Sequence, residues 1–168
     1  TYTISQPFFV DSIGDVTILG PNFACNDQTT PLQFSVQYDH TEGSGSWSEP
    51  NGILIAPNPY TTSVNPSTSS VLNSPYEIIY EYVSTANGNN TCIVSDTLDL
   101  VIAPIPTPSF TLALFHSSQG SPVLTNPTPV GGNFSGSGMA DTIFYPTIAD
   151  TGLVEIIYTY GDPATSCT

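Results

Sequence analysis

The sequence predicts an all-β protein built as tandem antiparallel β-sandwich domains. Three observations carry that expectation. Apolar residues alternate with a period of two, and no amphipathic helical stretch interrupts them. Sixteen Pro and thirteen Gly are spread along all 168 residues and punctuate short strands. The third is a strand that occurs twice. Glu77-Ile78-Ile79-Tyr80-Glu81-Tyr82, followed by Cys92, returns as Glu155-Ile156-Ile157-Tyr158-Thr159-Tyr160, followed by Cys167. Such fidelity is expected when one strand fills the same slot in two copies of a domain. In each copy the residues at alternate positions, Ile78, Tyr80 and Tyr82 or Ile156, Tyr158 and Tyr160, share a face.

In chain order, residues 1–5 alternate like a strand. They compare with Leu98–Ala103, which runs into the proline-rich Pro104–Pro108. Both read as the last strand of a domain, so residues 1–5 are expected to close an upstream repeat. The first repeat is then 6–103, with strands expected at Asp15–Leu19, Leu32–Tyr38, Ser46–Trp47, Ile53–Ala56, Thr61–Asn65, Tyr76–Val83 and Asp96–Ile102. Glu42-Gly43-Ser44-Gly45 and Ala86–Asn90 read as turns between them. The second repeat is 104–168, with its last strand expected beyond Thr168. It matches the first at Pro31-Leu32 with Pro122-Val123, at Gly45–Ser48 with Gly132–Ser135, and at Val64-Asn65-Pro66 with Phe144-Tyr145-Pro146. Pro104–Pro108 reads as a stiff spacer.

Fourteen acidic residues stand against no Lys and no Arg, where a chain of this length ordinarily carries roughly twenty basic residues. Packing, hydrogen bonds and cross-links must therefore hold the fold without Lys or Arg salt bridges. Nucleic acid and anionic membrane surfaces are excluded as partners, because nothing can neutralise a phosphate. No apolar run is long enough for direct membrane insertion.

Cys25 and Cys92 flank the first repeat and are expected to form an intradomain disulfide, with Cys167 unpaired or bonded externally. Three free buried thiols are the alternative. A disulfide implies an oxidising, extracellular compartment.

Gly131-Gly132-Asn133-Phe134-Ser135-Gly136-Ser137-Gly138, then Phe144-Tyr145-Pro146, then Gly152–Tyr160 with Cys167, resembles a known repeat. It is similar to the Ig-like or PKD-like repeats of giant Bacteroidota cell-surface adhesins exported by type IX secretion, the SprB-type gliding adhesins among them. The likeness covers most of the second repeat and, more loosely, the first, which departs at Ser46–Pro50. The resemblance implies tandem Ig-like β-sandwiches and a structural or adhesive stalk, extracellular at the cell surface. Its partners would be neighbouring repeats of the chain, with surface glycans or other proteins at the adhesive end. It also makes Ser12, Thr97 and Thr142, each preceded by Asp and followed by an apolar residue, candidate O-glycosylation sites.

No catalytic constellation is found: no Gly-x-Ser-x-Gly element and no distinctive carboxylate pair. The chain reads as a non-enzyme. His40 and His116 lack a second ligand at zinc spacing. No cofactor is expected beyond weak calcium binding at Asp11 with Asp15 or Asp96 with Asp99, since no Asp-x-Asp-x-Asp-Gly loop occurs. Trp47 and Phe134 occupy matching positions and are expected in the core. With Tyr60, Tyr76 and Tyr145, Trp47 is also the material for a sugar-stacking platform. That leaves a carbohydrate-binding module, or a subunit of an extracellular filament or surface layer, as competing functions.

Overall fold

A computed structural model describes residues 2–6, 14–39, 43–87, 90–112, 125–150 and 152–168. The chain is all-β and divides into two compact units, Thr1–Ala103 and Pro104–Thr168.

The first unit is a β-sandwich. Its strands are β1 (Thr17–Leu19), β2 (Phe23–Cys25), β3 (Leu32–Gln37), β4 (Gly43–Ser48), β5 (Leu54–Ile55), β6 (Thr61–Val64), β7 (Tyr76–Asn87) and β8 (Asn90–Ala103). One sheet has the order β1-β3-β6-β5 and the other β2-β8-β7-β4. These are the ABED and GFC sheets of an immunoglobulin-type sandwich, with β2 added beside the last strand. Pairing is antiparallel except at that edge, where β2 runs parallel to the end of β8. Strand alternation sorts the side chains as expected. Tyr76, Ile78, Tyr80 and Tyr82 of β7 point inward and are buried, while Glu77 and Glu81 face out. They meet Leu100 and Ile102 of their own sheet and Ile18, Leu32, Phe34 and Val64 of the opposite one in a single core.

A second immunoglobulin feature sits at the start of β7. The Tyr76 hydroxyl donates to the Ser70 carbonyl at 2.6 Å, closing the corner made by the short 3-10 turns Pro66–Thr68 and Val71–Asn73. This is the tyrosine corner of such sandwiches, which ties strand F to the connection before it. Tyr76→Phe is expected to cost about 1–3 kcal/mol, because the Ser70 carbonyl loses its partner beside a ring that is 1% exposed. Thermal melts of the two proteins check it.

Two element boundaries differ from expectation for a physical reason. Gly43-Ser44-Gly45, expected as turn, is the first half of β4, paired with Ser84, Val83 and Tyr82. Glycine is needed there because the rings of Tyr80 and Tyr82 lie over the strand. A Cβ on Gly45 would fall 1.7 Å from the Tyr80 hydroxyl oxygen, and one on Gly43 would fall 2.7 Å from that of Tyr82. The β8 strand also begins earlier than expected, at Asn90.

Among the described residues of the second unit the strands are β9 (Ser109–Thr111), β10 (Thr125–Thr128), β11 (Asn133–Gly136), β12 (Met139–Ala140), β13 (Ile143–Phe144) and β14 (Ile156–Thr159). They form three antiparallel pairs, β9 with β10, β11 with β14, and β12 with β13. An aromatic nucleus holds them. Phe134 lies 4.6 Å from Tyr158 and 5.2 Å, edge-on, from Phe110. The Tyr158 hydroxyl accepts from the Gly132 amide at 2.8 Å and donates to the Pro129 carbonyl.

The twice-occurring strand thus has the same partner in both units. Trp47 of β4 faces Tyr80 of β7, and Phe134 of β11 faces Tyr158 of β14. Two residues before each aromatic stands a glycine, Gly45 or Gly132, pressed under the facing tyrosine ring. One local device, Gly-x-aromatic against Ile-x-Tyr, is built twice.

Candidate functional site

The first unit places four tyrosines and its tryptophan in one aromatic array. Trp47 packs edge-on against Tyr80 at 4.8 Å. Tyr38, just past β3, lies 6.4 Å from Tyr80 and 5.1 Å from Tyr82. Tyr60 then stacks on Tyr38 at 6.3 Å with planes 8° apart. The array runs from the core to the surface, where Tyr60 is 61% exposed. Its loop is held by Asn58, whose carboxamide oxygen accepts from the Tyr60 and Thr61 amides and whose NH2 donates to the Thr61 hydroxyl. An exposed ring backed by Tyr38, on a loop pinned by Asn58, can stack its open side on a sugar face or another flat group.

Of the four aromatic residues considered for a platform, only Tyr60 is placed for that role. Trp47 and Tyr76 are buried and Tyr145 is half-buried. The Trp47 indole Nε1 has no hydrogen-bond partner among the described residues, so its ring acts as an apolar wedge. Phe134, the matching residue, is half-buried within the nucleus of its own unit.

The array also sets the response to alkali. Burial pushes the Tyr80 hydroxyl up to about 12, helped by Tyr38, Tyr82 and Tyr60. Burial likewise raises Tyr38, with Tyr60 next, and raises Tyr76, where the bond to Ser70 acts in the opposite direction. A phenol whose folded pKa is raised contributes stability below its unfolded pKa, about 10, which is lost as pH rises through the folded value. The first unit is therefore expected to lose stability as the pH rises from about 10 to about 12. Its melting temperature should fall over that window as tyrosinate absorbance at 295 nm rises, and Tyr80→Phe should make the fall less steep.

The cysteine pairing differs from expectation. Cys25 and Cys167 are the disulfide-bonded cysteines, and Cys92 is a free thiol. The expected Cys25–Cys92 bridge is corrected by strand length. Cys25 stands beside Ala103, at the far end of β8, while Cys92 lies eleven residues earlier in that strand (103 − 92). At about 3.3 Å per residue this is roughly 36 Å, against the 4.4–6.8 Å between Cα atoms that a disulfide spans. The expectation that Cys167 is unpaired falls with it. Native alkylation without reductant is expected to label Cys92 alone, which peptide mapping would read directly.

The candidate glycosylation residues are Ser12, which lies outside the described residues, Thr97 and Thr142. Thr97 is exposed on the outer face of β8 opposite Ile79, and Thr142 is exposed in the two-residue turn joining β12 to β13. In that turn Asp141 takes the left-handed conformation. Asp96 is otherwise engaged: its carboxylate accepts from the Ile18 amide of β1 at 2.7 Å. Asp96 and Asp99, three apart on β8, point to opposite faces and cannot share a calcium ion. Asp15 is exposed and Asp11, His40 and His116 lie outside the described residues. Among the described residues no three His, Cys, Asp or Glu side chains converge, and no helix is long and apolar enough to cross a membrane. Asp162 accepts from the Thr165 hydroxyl and the Ala164 amide, which hold its carboxyl below the usual range.

No family model, curated protein or solved structure matches the chain.

Residue patterns missed two features of this region. Tyr38 links Tyr60 to the core but precedes a turn in sequence, and nothing local marks it as a stacking partner. The β2 strand, Phe23–Cys25, exists through its parallel pairing with a strand about eighty residues away, and three residues carry no periodicity to detect.

Proposed function

We propose that the chain is a structural and adhesive repeat segment of a long secreted protein at a cell surface, of the gliding-adhesin kind its motifs resemble. The observation that carries this reading is the duplicated strand pair. β4 with β7 and β11 with β14 repeat one register and one glycine-under-tyrosine contact in two successive compact units. Repeating units in series are how a chain gains reach and bears load. The reading assigns the segment no catalysis. Its work is mechanical, carrying a binding tip away from the cell, with neighbouring repeats of the chain as its immediate partners.

The surface chemistry supports the same reading. Fourteen carboxylates and no basic side chain leave trypsin-like proteases no cleavage site and leave phosphate-bearing surfaces nothing to bind. Exposed Thr97 and Thr142 are open to O-linked sugar, and with Ser12 they are the positions to examine for added mass.

Trypsin treatment of intact source cells tests the location. A surface segment is expected to appear in the supernatant as one resistant fragment of at least 17.8 kDa. Recovery only after lysis would contradict the surface assignment.

Tyr60 favours a second reading, a carbohydrate-binding module. Tyr60→Ala would then reduce retention on the target glycan by about tenfold or more, with the melting temperature little changed because the ring is mostly exposed. A pure spacer shows no glycan retention to lose.

A further inference from the structure

We infer that the aromatic array of the first unit carries oxidising equivalents from Trp47 to Tyr60, and that Tyr60 is a site of oxidative cross-linking between copies of the chain. The route is set by distance. Ring centroids lie 4.8 Å apart from Trp47 to Tyr80, 6.4 Å from Tyr80 to Tyr38 and 6.3 Å from Tyr38 to Tyr60. Each step is thus a ring-to-ring contact. Every member is an indole or a phenol, and these rings lose one electron far more readily than that of phenylalanine.

The direction is set by protons. An indole or phenol that loses an electron becomes a much stronger acid, so the oxidising equivalent comes to rest where that proton can leave. The Trp47 Nε1 is buried with no hydrogen-bond partner among the described residues. An indole radical there keeps its proton and stays oxidising enough to draw an electron from Tyr80. Tyr80 is fully buried, and its hydroxyl is committed at 2.9 Å to the Pro59 carbonyl, too weak a base to take the proton. Tyr38 is half-buried and hands the equivalent on. Tyr60 is 61% exposed and meets water, which takes its proton. Asn58 pins the loop that keeps the ring on Tyr38.

The chemistry balances with an external one-electron oxidant, such as a haem peroxidase working with hydrogen peroxide. Two copies each give up one electron and the Tyr60 hydroxyl proton, and the peroxide takes both pairs and ends as two waters. The two phenoxyl radicals join through a carbon–carbon bond ortho to their oxygens. Each ring hydrogen at that bond then moves to oxygen and restores the phenol. The chain has no lysine, so lysine-based cross-links are closed to it while phenol coupling is open. An equivalent that reaches Trp47 is by the same route moved out of the core.

The test uses the 168-residue chain, with light at the red edge of the indole band to excite its single tryptophan. Pentaamminechlorocobalt(III), which accepts one electron irreversibly, serves as the oxidant. Transient absorption is expected to show the Trp47 radical decaying into a tyrosyl radical, and peptide mapping should place dityrosine at Tyr60. Tyr38→Phe keeps the ring and its packing but removes the readily oxidised phenol. It should lengthen the life of the Trp47 radical and lower Tyr60 cross-linking, each by about tenfold or more, with the melting temperature little changed. A Trp47 radical that decays equally fast in both proteins would overturn the inference. So would Tyr60 cross-linking that Tyr38→Phe leaves unchanged, or dityrosine as abundant at Tyr145 or Tyr160, outside the array, as at Tyr60.

Discussion

Tyr80→Ala is expected to destabilise the first unit by about 3–5 kcal/mol, the range for removing a large buried aromatic. Tyr80 is fully buried and faces Trp47 across the β4–β7 pair at 4.8 Å. Its hydroxyl also donates to the Pro59 carbonyl at 2.9 Å, so the substitution removes packing, a ring–ring contact and a hydrogen bond together. A unit of this size has roughly 5–15 kcal/mol in total, and one lesion can therefore remove much of it. Trp47 remains as the reporter. Its fluorescence in a denaturant titration should show the midpoint move sharply downward, while Tyr80→Phe, which loses only the hydroxyl, should cost about 0.5–1.5 kcal/mol. Equal effects of the two substitutions would mean that the ring is not the structural element.

The second large effect concerns the glycines. Gly45→Val is expected to cost the first unit about 3 kcal/mol or more, the upper end for overpacking. The new side chain would enter space held by Tyr80, whose hydroxyl oxygen and Cζ lie 1.7 and 2.4 Å from an added Cβ. That ring is fixed by its bond to Pro59 and cannot swing aside. Gly132→Val is the twin experiment, because a Cβ there would lie 2.4 Å from the Thr159 carbonyl oxygen and 2.5 Å from Tyr158 Cζ. If the two units repeat one device, each substitution should destabilise its own unit. Hydrogen exchange should show Gly45→Val loosening amides of β7 and Gly132→Val loosening those of β14. Tolerance of valine at both positions would contradict the shared construction.

Which parts of this architecture were legible in the residues follows from how local each signal is. The all-β class was readable because alternation is written into neighbouring residues: Tyr76, Ile78, Tyr80 and Tyr82 against Glu77, Ile79 and Glu81. The inward role of Trp47 was readable from its match to Phe134. Gly43-Ser44-Gly45 misled because glycine is permitted by a turn and also required by a strand beneath a tyrosine ring, and composition cannot separate the two. The cysteines misled for a longer-range reason. Flanking a repeat in sequence says nothing of which end of a fourteen-residue strand a thiol occupies, and it is the register of β2 on β8 that separates Cys25 from Cys92. Tyr60 was one of four aromatic residues offered for a platform, but its partner Tyr38 follows β3, far from it in sequence.

The measurement that bears most directly on the central claim is the mass of the native polypeptide from its source, before and after reduction. A repeat segment of a surface stalk predicts a chain many times 17.8 kDa, carrying further copies of the Ile-x-Tyr-x-Tyr unit, in the reduced as well as the unreduced sample. A reduced chain close to 17.8 kDa would contradict it.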